Sequence, residues 1–188
     1  MKTIMIDMDN VITDGQIQHY VEEFLKEKIN REEIEDYTYI QKVTESKKEA
    51  FWNYVKNKDF YKSSPLLEGC YEVLEKLNRK YDLYIVTSYL WKETIDLSGK
   101  NLQYKYNYLR KELPFIPPEK YIFTTNKKII PFDIKIDDRI ENLENGKMKL
   151  LFQQWHNKNI SSEELKKKKV ILVKNWKEIE KILHTKGQ

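Results

Sequence analysis

Residues 3–10 read TIMIDMDN, an apolar run that ends at two carboxylates, Asp7 and Asp9. A carboxylate at the end of a buried strand loses water and meets the charge of its neighbour, so its presence needs a reason. Taken alone, the Asp-x-Asp pair has two interpretations: a strand end whose side chain caps the next segment, or a reactive site. The rest of the sequence has to decide between them.

Short apolar runs recur along the chain, at residues 3–8, 83–87, 121–124, 134–136, 150–152 and 170–173. Most are separated by segments of helical period, such as 66–80, in which Val73, Leu74 and Leu77 form one apolar stripe. Runs that do not alternate are typical of strands covered on both faces. The sequence therefore predicts an α/β fold with a doubly wound parallel sheet, and ligands at the carboxyl ends of its strands.

One interval interrupts this alternation. Roughly fifty residues, 13–64, separate the first run from the helix near Gly69, with many charged and aromatic residues and no convincing strand. We interpret them as a small helical cap inserted after the first strand. Residues 1–13 and 66–188 would form the core and 14–65 the cap, with linkers at Asp14-Gly15 and Ser63-Ser64-Pro65.

Composition excludes several classes of protein. The 188 residues suit one domain, and a net charge of +4 suits an anionic small molecule without demanding nucleic acid. The lysine run 166–169 is interpreted as a solvated turn. The single cysteine, Cys70, excludes an internal disulfide, and neither a leader nor a membrane-spanning run is recognisable, so a cytoplasmic protein is expected. The five glycines match neither a dinucleotide fingerprint nor a P-loop.

Three further sets of candidate site residues lie at or near predicted strand ends. Thr87 and Ser88 could hold a phosphate oxygen where the second run meets a loop, although such residues are usually a turn. The adjacent pair Asp137-Asp138 repels itself unless a cation neutralises it, and oxygen ligands of this kind suit Mg²⁺. A lysine at 127 or 128 could balance these carboxylates, although a solvated lysine is the commoner case.

The order of these motifs resembles the haloacid dehalogenase superfamily, whose members mostly transfer phosphoryl groups. Longer stretches resemble its 5'(3')-deoxyribonucleotidase family: IDMDNV, FWNYVKNKDFYKSSPLLEG, KYNYLRKELPFI, KIDDRIENLE and LLFQQWHN. The resemblance covers nearly the whole chain. It implies a Mg²⁺-dependent phosphatase that acts on nucleoside monophosphates, with no nucleic-acid or membrane partner. The alternatives are a phosphatase for another small phosphoester, such as a sugar phosphate, and a catalytically idle binding protein.

Roles follow from the resemblance motif by motif. Asp7 would be the nucleophile and Asp9 the general acid and base. Thr87, Ser88 and Lys127 would bind the phosphate. Lys128 is the alternative candidate for the motif lysine. The metal ligands implied are Asp7, Asp138 and the backbone carbonyl of Asp9, with Asp137 acting either directly or through water.

The predicted cap would choose the substrate. Its aromatic residues could stack on a base or sugar, and Phe51 and Trp52 are the first candidates, although burial in the cap's own core is an equal alternative. Asn10 departs from the family motif, in which Gly or Glu is frequent. Neither the oligomeric state nor the preferred base can be predicted from the sequence.

Overall fold

The computed structural model describes residues 1–35, 39–90 and 92–185. Its strands are β1 (Thr3–Ile6), β2 (Asp82–Thr87), β3 (Tyr121–Phe123), β4 (Phe132–Asp137), β5 (Gly146–Phe152) and β6 (Val170–Val173). They form one sheet of six strands in the order β3-β2-β1-β4-β5-β6, and every neighbouring pair is parallel. The predicted parallel α/β sheet is confirmed.

Helices connect and cover the strands. They are α1 (Ile17–Leu25), α2 (Glu45–Val55), α3 (Cys70–Asn78), α4 (Ser98–Glu112), α5 (Ser162–Lys167) and α6 (Trp176–Thr185). In β1, Ile4 and Ile6 pack into a cluster shared with α3, α4 and α6. Met5 points the other way, against Val86 and Phe132. Burial on both faces is the reason that β1 is apolar at successive positions rather than at alternate ones.

The register of the central strands places the chemistry at one edge. Ile6 lies opposite Ile85 of β2 and Ile136 of β4, and the backbone N–H of Asp7 donates to the Ile136 carbonyl at 2.9 Å. Because parallel strands end at the same edge of a sheet, Asp7 and Asp137 are neighbours there.

The segment between β1 and α3 contains α1 and α2, which share a separate apolar cluster that includes Val21, Phe51 and Val55. Its two ends meet at Thr13, whose hydroxyl lies 2.6 Å from the Ser64 hydroxyl and donates to the Pro65 carbonyl at 2.9 Å. The cap limits, 14–65, stay a prediction, and residues 36–38 within them lie outside the described residues. Within the described ranges, no helix is both long and apolar enough to cross a bilayer.

Candidate active site

Three carboxylates converge at the carboxyl ends of the central strands. Asp7 follows β1, Asp137 ends β4 and Asp138 comes next, and one oxygen from each lies within 4.8 Å of the others. All three side chains are buried. Such a group of like charges is stable only when cations or protons compensate it.

A lysine provides part of this compensation. Lys127 lies on a short 3-10 turn between β3 and β4, and its Nζ is 2.5 Å from Asp7 Oδ1 and 3.0 Å from Asp137 Oδ2. Burial acts to lower the pKa of Lys127, but the charges of Asp137 and Asp7 outweigh it and raise that pKa above its ordinary value. Lys128 is exposed. Of the two candidates from the sequence, the structure brings Lys127 to the carboxylates.

The carboxyl groups themselves are held in an unfavourable environment for charge. Burial, reinforced by the negative charge of Asp137 and opposed by Lys127, raises the pKa of Asp7 from 3.8 to about 7. Burial likewise raises the pKa values of Asp137 and Asp138. Each group therefore favours a bound proton or a bound cation more strongly than it would in water.

The group has the composition of a divalent-cation site. When ionised, its three carboxylates carry two negative charges more than the Lys127 ammonium, which pairs with two of them, can balance. Asp138 Oδ1 is buried and has no hydrogen-bond partner among the described residues. A carboxylate oxygen without a partner is costly unless it binds something, and oxygen ligands suit Mg²⁺. These residues fit a magnesium ion.

Asp9 lies in a different environment. Its Oδ1 accepts a hydrogen bond from the Tyr61 hydroxyl at 2.7 Å, and Lys105 Nζ forms an ion pair with its Oδ2. Burial and the charge of Asp9 raise the pKa of Tyr61 well above its ordinary value, so the phenol keeps its proton and donates it. The Asp9 side chain thus has different partners from the three clustered carboxylates.

Lys105 also links Asp9 to strand β2. Its Nζ donates to Thr87 Oγ1 at 2.8 Å. Thr87 is buried at the end of the strand, whereas Ser88 reaches the adjoining cavity. Of the predicted phosphate-binding residues, Thr87 therefore contacts Lys105, and Ser88 and Lys127 line the cavity that Asp9 and Lys105 also line.

The cavity above these groups has a volume of about 300 Å³. Asp7, Asp9, Ser88 and Lys127 line it, together with residues from both sides of the cleft: Asn10, Asp14, Gly15, Gln16, Ile17, Ile40, Phe60, Tyr61, Leu90, Lys105, Thr125, Arg139 and Asn142. A volume near the lower end of the range for ligand pockets suits a small molecule.

Phe51 and Trp52 do not line this cavity. Phe51 is fully buried between α1 and α2, where its ring meets the ring of Phe24 edge-on at 5.4 Å. Trp52 packs against the same cluster and faces a second, smaller recess. Among the residues that the structure describes, the aromatic side chains that line the main cavity are Phe60 and Tyr61. The structure therefore does not place the two preferred substrate-contact candidates at the site.

Sequence reasoning missed Lys105 as a site residue. A signal existed, because Asn101, Lys105 and Tyr108 recur at helical spacing on the buried face of α4. A lysine on a buried helical stripe needs a partner, and that requirement could have identified it.

The fold and the site together define a class of protein. A parallel sheet with an aspartate after β1, hydroxyl residues after β2, a buried lysine and an aspartate pair at the end of β4 agrees with the arrangement that the sequence resemblance to the haloacid dehalogenase superfamily implies. Over residues 1–188 the chain matches the family described as "5' nucleotidase, deoxy (Pyrimidine), cytosolic type C protein". It belongs to this family and is a phosphoric monoester hydrolase of the nucleotidase type.

Individual relatives agree with this assignment. The 5'(3')-deoxyribonucleotidase of Bacillus subtilis (strain 168) is 35% identical over 97% of this chain and 98% of its own length. That of Clostridium acetobutylicum is 29% identical over 84% of each chain. A haloacid dehalogenase-like protein of known structure from Burkholderia xenovorans LB400 superimposes with a TM-score of 0.54 at 13% identity, covering 95% of this chain and 94% of its own. The last similarity supports the fold.

The raised pKa of Asp7 predicts how stability depends on pH without divalent cations. The unfolded carboxyl group titrates near 3.8 and the folded one at about 7, so the folded state holds more protons across this window. The free energy of unfolding should therefore fall as pH rises from 5 to 7 in EDTA, by on the order of a few kcal/mol. Urea denaturation at several pH values measures this fall.

The same experiment has two controls. Saturating Mg²⁺ should reduce the fall, because the cation replaces the proton as the compensating charge. Asp7→Asn in EDTA should also reduce it, because the variant has no carboxyl group to titrate at position 7. Identical pH profiles for all three samples would contradict this account of the carboxylate group.

Proposed function

We propose that this chain is a Mg²⁺-dependent phosphatase that hydrolyses 5'(3')-deoxyribonucleoside monophosphates through an aspartyl-phosphate on Asp7. One observation carries the proposal: two aspartates two residues apart face one cavity but have different partners. Asp7 is paired with Lys127 beside two further carboxylates, whereas Asp9 is held by Tyr61 and Lys105. Two unlike environments for neighbouring carboxyl groups support two unlike roles.

The first step transfers the phosphoryl group to Asp7. A carboxylate oxygen of Asp7 attacks the phosphorus, and the bond to the sugar oxygen breaks as that oxygen takes a proton from the acid form of Asp9. Ser88, Lys105 and Lys127 line the cavity and would surround the phosphate oxygens. Their positive charge and hydrogen-bond donors would compensate the charge of the transferred group.

The second step releases phosphate. Asp9, now a carboxylate, removes a proton from water as the water oxygen attacks the phosphorus and the bond to Asp7 breaks. The Tyr61 hydroxyl and the Lys105 ammonium fix the Asp9 side chain, so that it serves both steps from one position.

Asp7, Asp137 and Asp138 are the side chains that would hold the magnesium ion, with the backbone carbonyl of Asp9 as the further ligand that the family resemblance implies. When bound, Mg²⁺ supplies positive charge that lets the anionic nucleophile approach an anionic phosphate. Asp137 Oδ1 accepts hydrogen bonds from the Arg139 N–H at 2.9 Å and Asn142 Nδ2 at 3.0 Å, so this carboxylate has a fixed orientation.

The nucleotide part of the proposal rests on the relatives and on the cavity. Relatives named 5'(3')-deoxyribonucleotidases match nearly the full chain. Beyond the charged residues, the cavity wall includes Ile17, Ile40, Phe60 and Leu90. A planar base packs well against such apolar and aromatic surfaces, which makes Phe60 a better candidate for base contact than Phe51 or Trp52.

The proposal also covers the cap, the substrate as a partner and the location of the protein in the cell. Residues 14–65 would act as the cap that closes over the substrate, and the nucleotide would be the small-molecule partner. A cytoplasmic location agrees with the single buried cysteine, Cys70.

Replacement of the proposed nucleophile should abolish turnover. In Asp7→Asn, kcat should fall by on the order of 10,000-fold or more, because the amide cannot form the covalent intermediate. Mass spectrometry of Asp9→Asn quenched during incubation with p-nitrophenyl phosphate, whose leaving group needs no proton from Asp9, should detect a phosphorylated protein, and Asp7→Asn should not. Asp133→Asn is the matched control, because Asp133 lies at the amino end of β4 and bonds Thr3. Full activity in Asp7→Asn would refute the assignment.

Replacement of Lys105 tests the residue that sequence reasoning missed. Lys105→Met keeps the length and burial of the side chain but removes the charge that joins Asp9 to Thr87. We expect kcat/KM to fall about 100-fold, the cost of removing one donor that stabilises transition-state charge. Lys111→Met, on the exposed side of the same helix, is the control and should retain wild-type kinetics. Equal kinetics in both variants would exclude this role for Lys105.

A substrate panel tests the proposed specificity. Phosphate release from 5'-dUMP, 3'-dUMP, 5'-dTMP, UMP and glucose 6-phosphate would be compared in Mg²⁺ and in EDTA, with Asp7→Asn as the blank. We expect the deoxyribonucleotides to give the highest kcat/KM and EDTA to abolish release. A preference for the sugar phosphate would favour a phosphatase for another phosphoester. Bound magnesium without turnover of any substrate would favour a binding protein.

A further inference from the structure

Asn10 occupies a backbone conformation that few residues tolerate. Its φ is 59°, in the left-handed region, and the residue is buried. Its N–H donates to the Thr13 carbonyl at 2.7 Å, and its carbonyl accepts from Gln154 Nε2 at 2.6 Å. Glycine adopts this conformation without strain and asparagine is the side chain that adopts it most readily. The tight turn after Asp9 therefore explains why the residue at position 10 is asparagine rather than a larger side chain.

The turn alone would be satisfied by glycine, but the asparagine side chain has a partner of its own. Asn10 Nδ2 donates to Asp138 Oδ2 at 3.0 Å. His156 Nε2 lies 2.9 Å from the same oxygen. Because a carboxylate repels the amide oxygen, this orientation of the Asn10 amide is the favourable one. Two side chains from different parts of the chain thus hold one oxygen of Asp138.

The other oxygen of Asp138 is left for a ligand. Oδ1 is buried without a hydrogen-bond partner among the described residues, beside the carboxylates of Asp7 and Asp137. The Asp138 backbone is fixed as well, because its carbonyl accepts from Asn157 Nδ2 at 2.7 Å. With its main chain and one oxygen held, the Asp138 carboxylate cannot turn away from its neighbours.

We propose that Asn10 is a positioning residue for the metal: its carboxamide holds Asp138 Oδ2, together with His156, so that Oδ1 is presented to a divalent cation. The proposal rests on the proposed function only in its metal site, and it does not depend on the substrate. Hydrogen bonds that orient a ligating carboxylate contribute to metal affinity, since otherwise the ion must order the ligand itself.

Glycine at position 10 separates the two roles of the residue. Asn10→Gly retains the left-handed backbone and its main-chain hydrogen bonds but removes the amide that holds Asp138. The chain offers a matched control in Asn145, whose φ is 61° and whose Nδ2 donates to the Lys128 carbonyl. Asn145 precedes β5 at the amino ends of the strands, and its side chain bonds the turn that carries Lys127 rather than a carboxylate of the site.

The test is isothermal titration calorimetry of Mg²⁺ into substrate-free protein. We expect the Kd of Asn10→Gly to be about 10-fold higher than that of the wild type, and the Kd of Asn145→Gly to be unchanged. His156→Phe removes the other contact to Asp138 Oδ2 and should raise the Kd similarly. An unchanged Kd in Asn10→Gly would overturn the proposal. If that variant does not fold, an unchanged Kd in His156→Phe would overturn it instead.

Kinetics distinguish positioning from a general structural defect. At saturating Mg²⁺, kcat of Asn10→Gly should return to within about 2-fold of the wild type, whereas the Mg²⁺ concentration for half-maximal activity should rise about 10-fold. A kcat that stays low at saturating Mg²⁺ would contradict a role through the metal. Because calorimetry needs no substrate, a change in Kd without phosphatase activity would retain this inference and refute the proposed function.

Discussion

The structure depends on one electrostatic constraint, the burial of three carboxylates at the carboxyl ends of β1 and β4. Their position follows from the register of the sheet. Because Ile6 pairs with Ile136, the next residues in the two strands, Asp7 and Asp137, lie side by side. Burial makes their mutual repulsion expensive, and Lys127 compensates only part of it. A group of carboxylates with an excess of two negative charges suits a divalent cation.

The sequence was informative wherever local pattern and global fold impose the same requirement. A strand covered on both faces must be apolar at successive positions, so the six runs predicted six strands. Parallel strands share one ligand-binding edge, so the motifs after β1, β2 and β4 had to converge there. The prediction of a parallel α/β sheet rests on these regularities and is confirmed. The family prediction rests on the resemblance of the motifs and is confirmed as well.

Side-chain direction within the segment 14–65 was beyond the reach of the sequence. Phe51 and Phe60 are both aromatic and both lie near helical residues, yet the first is enclosed between α1 and α2 and the second faces the cavity. The helical period of apolar residues shows that one face of a helix is covered. It does not show whether that face packs against another helix or contacts a ligand. The role of Asn10 was also beyond the reach of the sequence. Its φ of 59° and its hydrogen bond to Asp138, 128 positions away, depend on the folded structure.

A further buried lysine, Lys135, supports the geometry of the carboxylate group. Lys135 is fully buried within β4, and burial lowers its pKa. Its Nζ donates to the carbonyls of Lys127 at 2.9 Å and Asn142 at 3.3 Å. Those two residues in turn contact Asp137, so the Lys135 side chain holds two of the three groups that bond to that carboxylate.

The path of this lysine also constrains its neighbour. A Cβ at Gly146 would lie 3.0 Å from Lys135 Cγ and 3.2 Å from the Leu143 carbonyl, which is closer than side-chain atoms ordinarily approach. Glycine at the start of β5 therefore leaves room for the Lys135 stem. The Lys135 ammonium holds the Lys127 carbonyl, and Lys127 in turn contacts Asp137. Gly146 therefore contributes indirectly to the geometry of the aspartate cluster.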